Sequence, residues 1–186
     1  MGHRAIIGMT ESGKTYAAKY IARQWKSQGW ETLILHKDGE PWGVDEVTIQ
    51  TTNLELFLQK IEERNAENLR KEKELGYPAE LLKGYIAFIE IADGEIEKHD
   101  DRVHKLFSKE RHNAHKFHYI AQRKQSAHPS IRENCSSLMI FLCHIDQAKE
   151  WAIEFNDTEI KKAASIPPHW FYFKESKISP IVYTKL

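Results

Sequence analysis

Gly8-Met9-Thr10-Glu11-Ser12-Gly13-Lys14-Thr15 fits the spacing G-x-x-x-x-G-K-[ST], and those residue types in that order can hold a polyphosphate. Glycine lets the backbone approach an anion with its N–H groups turned inward. Lys14 would reach the β- and γ-phosphates, and the Thr15 hydroxyl would serve Mg²⁺. A helix starting at the end of the loop would point its positive pole at the same charge. Gly8, Met9, Thr10, Glu11, Ser12, Gly13, Lys14 and Thr15 are therefore the expected nucleotide-binding loop, with Lys14 also a candidate catalytic residue.

Such a loop needs an acidic partner on the metal side, usually at the end of an apolar strand. Tyr85 to Ala92 (YIAFIEIA) is an apolar run of that kind, and its candidates are Glu90, Asp93 and Glu95. Glu90 directly follows the apolar Ile86 to Ile89, so it is the first candidate for Mg²⁺. Asp93 is the second. The next position, where a catalytic glutamate would polarise water, is Ile91. Asp93 or Glu95 would then supply the base from the strand end, or hydrolysis would be slow. Glu95 also reads as a charge favoured at a helix start.

Gln122 ends the run Phe117 to Ala121. A glutamine there can orient water at a γ-phosphate or report its loss; it also reads as a strand-end amide bonded to backbone. Arg111, Arg123 and Arg132 are candidate arginine fingers, cations that a neighbouring subunit can bring to a transferring phosphoryl group. Each also reads as an ordinary surface cation. His112, His115 and His118 recur at intervals of three. His112 and His115 could share a helix face, while His118 enters the next strand; without a cysteine cluster they make a poor zinc site, contact with phosphate or a DNA backbone is a better reading, and ordinary surface histidines are the plainest.

The elements around these residues alternate. Arg4 to Met9 reads as a buried strand and Lys14 to Trp25 as a helix with Tyr16, Ala17, Tyr20, Ile21 and Trp25 apolar. Strands follow at Glu31 to His36 and Val47 to Gln50. Asn53 caps a helix whose apolar face is Leu54, Phe57, Leu58 and Ile61. About residues 62–84 form a charged helical excursion, broken at Gly76-Tyr77-Pro78 and read as a solvated helix pair. A polar helix spans Glu95 to Asn113, with Ile96, Val103, Leu106 and Phe107 inward. Ser137 to Cys143 is the strongest strand. Asp146 and Asp157 are expected caps of two further helices, and Trp170 to Phe173 with Ile181 to Tyr183 form a closing hairpin. The class is α/β: a mostly parallel central sheet flanked by helices, with a C-terminal β-hairpin. We expect residues 1–186 to form a single domain, with the loop at the carboxyl end of its first strand.

Composition narrows the function classes. The 186 residues carry 27 basic and 27 acidic side chains, so net charge does not mark a basic nucleic-acid binder. No run approaches the ~18 apolar residues of a membrane span, and no signal pattern opens the chain. Two cysteines, Cys135 and Cys143, make no disulfide framework and read as buried thiols in a reducing compartment.

The series GMTESGKT, YIAFIEIAD, ERHNAHKFHYIAQR and HPSIRENCSSLMIF resembles the FtsK/HerA-type P-loop ATPases, in particular the genome-packaging ATPases of phages. The resemblance spans roughly Arg4 to Phe155. It implies an ATP- and Mg²⁺-dependent motor that moves double-stranded DNA into a preformed capsid. Further implications are a homo-oligomeric, hexameric ring, contact with capsid or portal-vertex proteins, and a place in the host cytoplasm or on the virion. By the same resemblance Lys14 and Thr15 match the phosphate and Mg²⁺ residues, Glu90 the metal-side acid and Gln122 the sensor; Ile91 departs from the usual glutamate. Two other readings fit the residues: a nucleotide-gated assembly protein with weak hydrolysis, and a small-molecule P-loop kinase with the excursion as a lid.

Overall fold

The structure is a computed structural model that describes residues 2–36, 41–43, 45–78, 81–90, 101–109, 114–122 and 129–186. In chain order its elements are β1 (His3–Ile7), α1 (Lys14–Ser27), β2 (Thr32–His36), β3 (Ile49–Thr51), α2 (Leu54–Leu75), β4 (Ile86–Glu90), α3 (Asp101–Lys109) and β5 (Lys116–Ala121). There follow α4 (Pro129–Asn134), β6 (Cys135–Phe141), α5 (Ile145–Glu154), a 3₁₀ helix (Thr158–Ser165), β7 (Trp170–Lys174) and β8 (Ile181–Lys185). The described strands form one eight-stranded sheet in the order β3-β2-β4-β5-β1-β6-β7-β8. Pairing is parallel from β3 to β6 and antiparallel from β6 through the β7–β8 hairpin.

β1 is buried along its whole length because it lies between β5 and β6. Its side chains alternate, Ala5 and Ile7 joining one core and Ile6 the other. The first core takes Phe57 and Ile61 of α2, Leu106 and Phe107 of α3, Ile131 of α4, and Ala148, Trp151 and Ala152 of α5. Each such large side chain contributes roughly 1.5–3 kcal/mol when fully buried. On the other face α1 is the sole described helix, and it presses on the sheet through Ala17, Ala18 and Ala22. Tyr16 and Tyr20, expected on its apolar stripe, are 57% and 52% exposed. The buried stripe is made of alanines, whose small side chains let the helix lie close to the strands.

Asn53 caps α2 as expected, its Oδ1 accepting from the N–H of Leu56 at 3.1 Å. Among the described residues, the charged excursion as far as Leu75 is a continuation of this one helix. It runs to Leu75 and stops at Gly76, whose φ of 67° is the left-handed geometry glycine supplies at little cost. Ion pairs Lys60–Glu63, Arg64–Glu67 and Lys71–Glu67 run along its surface, each adding a few tenths of a kcal/mol.

Other expectations shift by small amounts. β3 starts two residues later than the run Val47 to Gln50, and β6 starts at Cys135 and stops at Phe141. His144, not Asp146, stands at the cap of α5, and Asp146 lies in the first turn. Asp157 does cap the helix that follows, its Oδ1 accepting from the Glu159 N–H at 3.1 Å. α4 has no counterpart in the sequence reading, since six residues give too little periodicity.

His115 and His118 are the clearest correction. Both were expected at the surface, and both are 2% exposed. The Tyr85 N–H donates to His115 Nδ1 at 2.9 Å, and His115 Nε2 meets Asn65 Oδ1 at 3.0 Å. His118 stacks on Phe88 with ring centroids 4.6 Å apart. β5 lies inside the sheet, so its residues are walled by β4 and β1. His112 lies outside the described residues. Among those described, no group of three or more His, Cys, Asp or Glu could hold a metal, and no helix is long and apolar enough to cross a membrane. Cys135 and Cys143 are buried and free.

Candidate functional site

The glycine loop leaves the carboxyl end of β1, pinned to both neighbouring strands. The Gly8 N–H donates to Ala121 O at 3.2 Å, and the Met9 N–H donates to Leu142 O at 2.9 Å. Glu11 and Gly13 have φ of 60° and 110°. Left-handed residues of this kind turn successive N–H groups toward a common hollow that suits an anion. A Cβ on Gly8 would stand 2.5 Å from Ser12 Oγ and 2.7 Å from Phe141 Cβ, so this position is closed to larger residues.

α1 starts at Lys14 with Gly13 as its cap, no side-chain cap bond and no acid in its first turn. Its positive end is left uncompensated, as an anion site requires. Ser12 Oγ is buried without a hydrogen bond from any described residue. Lys14 is 8% exposed, and its Nζ donates to Met9 O at 2.8 Å. Burial lowers its pKa, and the nearby Glu90 opposes that shift.

The carboxylate and the hydroxyl meet across the sheet. Thr15 Oγ1 donates to Glu90 Oε1 at 2.9 Å. Glu90 is the last residue of β4, which β5 separates from β1. A hydroxyl and a carboxylate so close form a hard-oxygen donor set that fits Mg²⁺, which takes one or two carboxylates with phosphate and water. Gln122 directly follows Ala121, the residue whose carbonyl anchors Gly8, and is exposed beside the loop.

Two participants escaped the sequence reading. His36 ends β2 opposite Glu90, with Nε2 3.3 Å from Oε2. The signal was present: a polar residue closing the apolar run TLIL, as Glu90 closes IAFI. The second is the hairpin. The His169 N–H donates to Ser12 O at 3.0 Å, and the Leu186 N–H donates to His169 O at 3.1 Å. His169 has φ of 65°, and no sequence signal places it on the loop.

Arg132 lies elsewhere. α4 runs straight into the amino end of β6, where Cys135 pairs with His3, so Arg132 sits toward the end of the sheet opposite the loop. Asp93, Glu95, Ile91, Arg111 and Arg123 lie outside the described residues.

A phosphate loop and helix at the carboxyl end of a central parallel strand, facing an acid at the end of another, make this the fold of the P-loop ATPases. The likeness is to a particular branch. Over 99% of this chain and 97% of the other, the structure resembles B204, the DNA-packaging ATPase of Sulfolobus turreted icosahedral virus, with TM-score 0.70 and 19% identity. The genome-packaging NTPase B204 of Sulfolobus turreted icosahedral virus 2, in complex with AMPPCP, gives TM-score 0.73 at 13% identity over 99% and 97% of the two chains. The conjugation coupling protein TcpA of pCW3, with ATPγS, gives 0.72 at 18% identity, covering 99% of this chain and 59% of the other. No protein-family model and no curated protein matches the sequence.

Proposed function

We propose that this chain is an ATP-hydrolysing motor that translocates double-stranded DNA, packaging a viral genome into a preformed capsid as a ring of identical subunits. The observation that carries the reading is the Thr15–Glu90 pair beside the glycine loop, set in a fold shared end to end with packaging ATPases. In this reading Gly8 to Thr15 wraps the phosphates of ATP and Lys14 neutralises the β- and γ-oxygens. Thr15 and Glu90 would hold Mg²⁺, which would supply positive charge against that developing on the phosphates. Gln122 orients the attacking water, and Asp93 accepts its proton. An arginine from a neighbouring subunit (Arg111, Arg123 or Arg132) faces the γ-phosphate.

The test is the steady-state ATPase rate with and without double-stranded DNA, across a salt series. We expect stimulation by DNA that fades as salt rises, because each phosphate contact releases counterions and steepens the fall of log K with log salt by about 0.9. Hydrolysis indifferent to DNA would overturn the translocase reading.

A second reading is a nucleotide-gated assembly protein with little hydrolysis, favoured by Ile91 in place of the usual catalytic glutamate. Nucleotide binding with almost no turnover would select it. The kinase reading loses support, because Arg64, one of the two arginines in the proposed lid, pairs with Glu31 and Glu67.

A further inference from the structure

Glu90 is approached from two sides. Thr15 takes Oε1, at 2.9 Å. Oε2 is buried and receives no hydrogen bond from any described residue. An unserved buried carboxylate oxygen is costly and calls for an explanation. On that side it faces His36 Nε2, at 3.3 Å.

The approach is built into the sheet. β2 and β4 run parallel with His36 opposite Glu90, so both side chains leave the same face at the carboxyl end. The imidazole is itself buried, its side chain 7% exposed. His36 Nδ1 also lacks a hydrogen bond from any described residue. Two unserved polar atoms on adjacent residues at the phosphate end of the sheet are hard to account for by packing alone.

A carboxylate bonded on one oxygen swings about its last torsion, which is broad. A donor on the second oxygen fixes the plane of the group. We propose that His36 is the positioning residue of the metal-side carboxylate: its Nε2, which faces Oε2 at 3.3 Å without a formed hydrogen bond, donates to that oxygen in the nucleotide-bound site, so that Oε1 stays beside Thr15 and turned toward the glycine loop. The proton is then on Nε2, the tautomer a neighbouring acceptor selects. The inference rests on the nucleotide-site reading above. It assigns to a residue of β2, remote in sequence from both loop and acid, the alignment of the pair.

The test measures how much Mg²⁺ the full chain needs to bind AMPPCP, by fluorescence titration, alongside AMPPCP affinity without metal. The unaltered chain is compared with His36→Leu, His36→Asn and His36→Gln, each alone and together with Glu90→Gln. Circular dichroism checks that each variant is folded. Leucine fills the site without a donor. Asparagine is small and polar, and its amide is too short to reach Oε2. Glutamine returns an N–H at about the reach of Nε2.

Loss of a partner behind a metal ligand weakens metal binding about 10–100-fold. We expect His36→Leu and His36→Asn to raise the Mg²⁺ requirement by that factor and leave metal-free affinity unchanged. His36→Gln should behave like the unaltered chain, and in the Glu90→Gln background no substitution at His36 should add a further loss. An unchanged Mg²⁺ requirement in folded His36→Leu or His36→Asn would overturn the positioning role. The same loss persisting with Glu90→Gln would also overturn it, because the effect would not pass through the carboxylate. Absence of AMPPCP binding by the unaltered chain would instead overturn the nucleotide-site reading itself, and binding indifferent to Mg²⁺ would overturn the metal-side role of Thr15 and Glu90.

Discussion

Thr15 and Glu90 stand 75 positions apart in the chain and meet with Oγ1 donating to Oε1 at 2.9 Å. This contact ties the start of α1 to the end of β4. Glu90→Gln keeps the acceptor and removes the charge. We expect steady-state hydrolysis to fall by about 100-fold or more, the cost of losing one charge-stabilising group, and Asp93→Asn to cost less. The opposite order in the same assay would move the metal-side role to Asp93.

Lys14→Ala tests the loop. The Lys14 ammonium is buried and donates to Met9 O, a hydrogen bond from a charged donor to a neutral acceptor. A phosphate, carrying the opposite charge, would be the stronger acceptor. Hydrolysis should be lost by a factor of ~100 or more, while the thermal midpoint moves by a few degrees at most. Unchanged turnover would remove the loop from the reaction.

His115 predicts a pH dependence of stability. Burial, reinforced by the neighbouring charges of Arg64 and His3, pushes its pKa from 6.5 down to about 4. The unfolded chain therefore takes up this proton before the folded one does. Its contribution is full above pH 6.5, declines as pH falls toward 4, and amounts to about 3 kcal/mol at 1.36 kcal/mol per pKa unit. Burial shifts His118 the same way, so the decline should be steeper than one proton requires. Urea unfolding between pH 7 and pH 4 reads it. In His115→Asn, which keeps an acceptor for the Tyr85 N–H, the slope should drop by close to one proton.

The cysteines predict chemical silence. Burial pushes the Cys143 thiol up to about 12 and Cys135 higher still, and the thiolate is the reactive form. A thiol-exchange reagent at pH 8 should leave both unlabelled in the folded protein and label both in denaturant. Fast labelling of Cys143 before unfolding would show that the carboxyl end of β6 opens, and of Cys135 that its amino end does.

Much of this was legible before the fold was known. Gly8, Gly13, Lys14 and Thr15 declare themselves by spacing, and Glu90 by its place at the end of an apolar run. Asn53, Gly76 and Asp157 mark real helix ends because each works through its own backbone geometry or side-chain bond. What stayed hidden depends on lateral neighbours. His36 comes to face Glu90 only when β2 lies beside β4, and no local pattern states that order. His115 and His118 look like surface residues until β5 is known to run inside the sheet. Tyr16 and Tyr20 look like core until alanines are seen to carry the contact. Strand order decides all these cases, and periodicity along one segment does not report it.

The central place of β1 also orders events during synthesis. The glycine loop is made before its anchors, which are Ala121, Leu142 and His169. None of those bonds can form until most of the chain has emerged, and long-range parallel pairing is slow to close. A nascent chain thus carries the whole nucleotide motif as sequence while lacking it as a structure. A phosphate-bearing ligand cannot select or trap a partly made chain, and a chain cut short before β6 should present no formed loop to it.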